Sequence, residues 1–81
     1  MSQYVNEKIA QAAADNGVKI GETEPSRETK GSWWEVFKLE NGDIIACVMV
    51  DWGVSCGEKI TPTELKYYVD DVEAAVAALA E

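Results

Sequence analysis

The sequence predicts a small antiparallel α+β domain with the order α-β-β-β-α. Three observations carry this. Two hydrophobic runs flank Asn41-Gly42, a capping box opens a long C-terminal helical pattern, and a helical stripe of small apolar residues precedes the strands. Eighty-one residues make a single domain, 1–81, near the lower size limit for an unstapled core.

The first helix is expected over Met1–Asn16, with Ser2 as N-cap and Gly17 at the left-handed position after the end. Val5, Ile9, Ala12 and Ala13 recur at helical spacing, and Tyr4 is a further anchor. The stripe is narrow and alanines bury little area, so this helix should dock lightly. Val18-Lys19-Ile20 follows as a short strand. Residues 21–31 contain Pro25, Ser26 and mixed charges, which predicts a mobile loop.

The central hairpin joins Trp33–Leu39 to Ile44–Val50. Asn-Gly between such runs signals a two-residue type I′ turn, because both central positions need positive φ. That turn sets Lys38 opposite Ile45, Val36 opposite Cys47 and Trp34 opposite Met49. On the other face it aligns Trp33, Glu35, Phe37 and Leu39 with Ile44, Ala46, Val48 and Val50, the better core candidate. Trp52 falls on that side if the strand continues. Gly53 to Lys59 offers an optional fourth strand, weakened by its glycines.

Thr61-Pro62-Thr63-Glu64 is a capping box with proline at the first helical position, and Ile60 with Leu65 forms a hydrophobic staple. Leu65, Tyr68, Val69, Val72, Val76 and Leu79 then follow the helical period. This C-terminal helix is expected to pack the sheet face containing Trp33, Phe37, Leu39, Ile44, Val48 and Val50. If helix 1 covers the other face, Trp34, Val36, Ile45 and Met49 are core. If it does not, they form an exposed apolar patch.

Fifteen Asp and Glu against seven Lys and Arg give a net charge of −8. Binding phosphates takes cations, so direct nucleic-acid binding is disfavoured. No run is long enough to span a membrane, and the first residues lack a secretory pattern, so a cytoplasmic location is expected. Cys47 and Cys56 match no metal or redox spacing, although a turn at Asp51-Trp52 would set them opposite each other on adjacent strands. A reduced pair is the expectation in the cytoplasm.

Catalysis is not expected. There is no histidine, which removes the commonest general base and metal ligand, and no phosphate-cradling glycine loop. No cofactor or metal is therefore predicted. Asp70 and Asp71 are neighbours on the expected helix and point about 100° apart, so they form no carboxylate pair. Glu35, the only charge on the expected core face, lies at the sheet margin, pairs with Lys19 or Lys59, or faces a ligand. Adjacent tryptophans in a strand point to opposite faces, so one of Trp33 and Trp34 is expected to be partly exposed.

In size, charge and lack of a catalytic set, though in no motif, the chain resembles the compact acidic proteins that phages encode against host defence, anti-CRISPR and anti-restriction proteins among them. The resemblance implies a non-enzymatic inhibitor that binds a basic, nucleic-acid-handling protein complex. Acids on the helix (Asp70, Asp71, Glu73) and in the loop (Glu22, Glu24, Glu28) would steer it, and Trp34, Val36 and Met49, or Tyr67, would anchor it. The alternative is a homodimeric structural or accessory protein that pairs through the apolar sheet face, the acidity serving solubility. A small-molecule site lined by Trp33, Trp52 and Glu35 is a third reading, disfavoured by so small a core.

Overall fold

The computed structural model describes residues 3–25 and 31–81. The α+β class holds, built on a five-stranded antiparallel sheet. In chain order the elements are β1 (Gln3–Val5), α1 (Glu7–Asn16), β2 (Val18–Glu22), β3 (Trp33–Lys38), β4 (Ile44–Val50) and β5 (Gly53–Ile60). A 3₁₀ helix, Pro62–Tyr67, and α2, Val72–Leu79, complete the chain. The optional fourth strand of the sequence reading is β5, the longest of all.

The strand order β1-β5-β4-β3-β2 has one consequence that shapes the molecule. With every neighbouring pair antiparallel, β1 and β2 run parallel on opposite edges. The connection between them must cross a whole sheet face, and that connection is α1. Ala10 and Ala13 of α1 pack on Val5, Phe37, Ile45, Cys47 and Val54, with Leu39 and Met49 partly buried beside them. Small residues let the helix approach the sheet closely, so its narrow stripe suffices.

The opposite face belongs to the C-terminal segment. Leu65, Tyr68, Val69 and Ala75 pack on Ile20, Val36, Ile44, Ala46 and Ile60. Both faces thus carry a helix, and the bare apolar sheet face on which the homodimer reading relied does not exist among the described residues.

The register of the central hairpin differs from the expectation by one residue. Lys38 opposes Ile44, Val36 opposes Ala46 and Trp34 opposes Val48. Leu39 N–H donates to the Asp43 carbonyl at 2.8 Å and Gly42 N–H to the Leu39 carbonyl at 3.0 Å, so the loop is three residues, Glu40-Asn41-Gly42. Gly42 sits at φ +94°, and the Asn41 side chain accepts the Asp43 N–H at 2.9 Å instead of closing a two-residue turn. Strand alternation does the rest: a one-residue shift re-pairs the faces. The C-terminal segment therefore covers Val36 and Ala46 with Ile44, while Phe37 turns to α1.

The first sixteen residues are not one helix. Gln3–Val5 pairs with Gly57–Lys59 as an edge strand, and Asn6 caps the helix by accepting Ile9 N–H at 3.0 Å. The expected cap, Ser2, lies outside the described residues. Gly17 is extended, at φ −83° and ψ 172°, not left-handed. Close approach explains it instead: a Cβ there would meet the Ala13 carbonyl oxygen at 2.7 Å and Leu39 Cδ2 at 3.1 Å.

The C-terminal helix is also broken. The capping box forms, Glu64 Oε1 accepting Thr61 N–H at 2.9 Å. The helix then stops, because Asp70 N–H is used by the Glu22 carbonyl at 3.0 Å and Asp71 starts a new helix by accepting Ala74 N–H at 3.0 Å. Aspartates compete well for such caps and poorly for helix interiors. Tyr68 sits at the break with its hydroxyl donating to the Glu58 carboxylate and its ring edge-on to Trp34, centroids 4.7 Å apart. Val72 and Val76, expected in the core, are left exposed.

The cysteines do not face each other. Val48 opposes Cys56 and Met49 opposes Val54, so Ser55 is an extra residue, a bulge, in β5. The shift sets Cys47 opposite Gly57 and puts the two sulfurs on different faces, and both thiols are free.

Candidate functional site

The expected loop at 21–31 begins as structure. β2 runs through Glu22, Thr23 N–H donates to the Trp34 carbonyl at 2.9 Å, and Thr23 Oγ1 accepts Trp34 N–H at 3.0 Å. On its other side this segment meets the helix break. Besides the Asp70 N–H to Glu22 carbonyl bond, Asp70 Oδ2 accepts Glu24 N–H at 3.0 Å. The residues Glu22–Glu24 are therefore held between β3 and the segment that follows the 3₁₀ helix.

This brings five of the predicted acids to one edge. Glu22 and Glu24 come from the strand end, Asp70 and Asp71 from the break, and Glu73 from the first turn of α2, all exposed. Glu28 lies outside the described residues. The cause of the clustering is this pair of hydrogen bonds, one between backbones and one to the Asp70 carboxylate, which hold despite the mutual repulsion of the acids. Lys19 answers part of the charge: its ammonium lies 2.9 Å from Glu22 Oε1, and this bond, with Glu22 and Glu35 nearby, raises its pKa above the ordinary lysine value.

The predicted apolar anchors do not form a patch. Val36 is wholly buried, 0% exposed, and is core. Trp34 is half-buried on the same face against Tyr68, whereas Met49 is half-buried on the α1 face. The one-residue register shift separates them. Tyr67 alone among the four stands out, 67% exposed, with the Lys66 ammonium 5.2 Å from its ring centroid.

The strand does not continue through Trp52, and the chain turns at Asp51-Trp52. Trp52 is 70% exposed, because Val50 pairs with Gly53 and leaves Asp51-Trp52 as the whole β4–β5 turn. The signal available was Gly53, a turn residue directly after Trp52. Glu35 stays half-buried at the margin, accepting the Trp33 indole N–H at 2.8 Å. Lys59, its other suggested partner, reaches Asp43 instead, at 3.5 Å.

Among the described residues, no group of three His, Cys, Asp or Glu side chains is placed to hold a metal. Cys47 donates its thiol proton to the Ala10 carbonyl at 3.4 Å, and burial pushes its pKa to about 12, so it is protonated and a poor nucleophile at neutral pH. Two open recesses flank Leu39, about 540 Å³ toward Ile9 and Ala12 and about 440 Å³ toward Val18 and Ala78. Their charged groups, Lys8, Lys38, Glu40 and Glu81, balance. No described helix is long and apolar enough to cross a membrane. What the site offers is charge: a rigid acidic edge.

No family model, curated protein or solved structure matches the chain.

Proposed function

We propose that this protein is a non-catalytic inhibitor that binds a basic, nucleic-acid-handling protein complex, in the manner of anti-CRISPR and anti-restriction proteins. The observation that carries the reading is the acidic edge. Glu22, Glu24, Asp70, Asp71 and Glu73 come from two chain segments, which are joined by the Asp70 N–H to Glu22 carbonyl bond and by the Glu24 N–H to Asp70 carboxylate bond across 46 residues of sequence. Carboxylates on rigid elements lose little entropy when they meet a positively charged surface. They also attract it from a distance, which raises the association rate. With a net charge of −8 the chain avoids nucleic acid itself and favours the proteins that hold it.

The test is affinity capture from a lysate of the native host after nuclease treatment, followed by competition. Supporting this reading would take a stoichiometric basic partner whose nucleic acid displaces the bait, and whose activity the bait suppresses. A partner that retains its nucleic acid would move the mechanism to an allosteric or assembly-blocking one. Recovery of the bait alone would remove the inhibitor reading.

A further inference from the structure

The β4–β5 turn lies at the same end of the sheet as the acidic edge. β2 ends there at Glu22, β3 begins there at Trp33, and β4 ends there at Val50 before the turn Asp51-Trp52. Three inter-strand steps separate β2 from β5, a distance of about 14 Å at the usual spacing. One protein surface spans that easily.

Trp52 has no folding role that the structure reveals. Trp33 donates its indole N–H to Glu35, and Trp34 packs on Tyr68. Trp52 has neither a ring contact nor a side-chain hydrogen bond among the described residues, and it is the most exposed large hydrophobic residue there. A two-residue turn needs no aromatic side chain. An indole left in water beside a carboxylate, Asp51, is suited to a partner that is both cationic and flat.

We propose that Trp52 and Asp51 receive an arginine side chain of the partner, the guanidinium stacking on the indole face while Asp51 accepts from its N–H groups. The inference rests on the inhibitor reading and names the chemistry the partner must present. Arginine fits better than lysine: its planar, weakly hydrated cation stacks on aromatic faces and forms forked bonds to carboxylates, whereas an ammonium keeps its water. Arginine is also abundant where proteins hold phosphates. The acidic edge supplies attraction over about a Debye length, ~8 Å in physiological salt, and the indole supplies the contact.

The experiment titrates the ¹⁵N-labelled full chain with octa-arginine and with octa-lysine in about 150 mM salt. The Trp52 indole resonance is assigned by its loss in W52F. Octa-arginine is expected to shift that resonance and to bind several-fold more tightly than octa-lysine. W52A should weaken octa-arginine binding about five-fold or more and leave octa-lysine binding unchanged. Its melting temperature, expected to match the parent's because the side chain is exposed, controls for folding. Equal affinity for the two peptides, or an unchanged octa-arginine affinity in W52A, would overturn the proposal. The outcome separates from that of the lysate capture: an arginine-selective Trp52 with no displaceable partner leaves this site standing and removes the inhibitor reading. A displaceable partner with an inert Trp52 does the reverse.

Discussion

Asp70 accepts the backbone N–H of Glu24 at 3.0 Å, joining two acidic segments that stand 46 residues apart in sequence. The Asp70 carboxylate, exposed as a steering acid would be, is also a clamp on the neighbouring chain. D70A should lose about 1 kcal/mol of stability in urea unfolding, while D70N, which keeps an acceptor, should recover much of it. An equal loss in both variants would assign the effect to charge instead of to the hydrogen bond.

Asp71 acts as a helix cap, accepting Ala74 N–H at 3.0 Å. D71A should destabilise by about 1 kcal/mol, and D71S should restore most of that, since serine caps nearly as well. Far-UV circular dichroism through the transition reads both.

Leu65 is wholly buried beneath the capping box, at the centre of the face covered by the C-terminal segment. L65A should cost about 3 kcal/mol, from lost burial and the cavity left behind. In a domain this small that is a large share of the total, and the melting temperature should fall accordingly.

The two cysteines should react very differently. Cys47 is buried with its pKa at about 12, whereas Cys56 is half-buried on the other face. Native protein at pH 8 should label with iodoacetamide at Cys56 only, and denatured protein at both, as mass spectrometry would show. The Cys47 contribution to stability is complete below the ordinary thiol value of 9.0 and disappears as pH rises toward 12. The stability of C47A should accordingly fall less steeply than the parent's as pH rises from 9.0 toward 12, read from urea unfolding at each pH.

Glu64 has its pKa held below the ordinary 4.5, chiefly by the Thr61 backbone N–H. The stabilisation is present above 4.5 and is lost as pH falls through the lower folded value. Melting temperatures of the parent and E64Q should therefore converge on acidification below about pH 4. A constant gap across that range would show that the carboxylate charge is irrelevant to the cap.

Much of the fold was legible because it rests on short-range chemistry. Alternating apolar residues around Asn41-Gly42 specify a hairpin wherever its partners lie, and Thr61, Pro62 and Glu64 open a helical turn through contacts within four residues. The absence of histidine and the excess of acid are equally independent of folding, and they set the direction of the functional argument. Three matters were decided only in three dimensions. The hairpin register depended on whether Asn41 closed the turn or accepted Asp43 N–H; one residue of difference moved Val36 from the face shared with Met49 to the face under Leu65. Placing β1 and β2 on opposite edges required α1 to cross the sheet, which covered the face that periodicity alone left undecided. The pairing of Asp70 with Glu22 and Glu24 broke one predicted helix into two and gathered the acids at an edge. Each of these turns on which distant backbone groups find one another, and a local pattern of side chains holds no record of that choice.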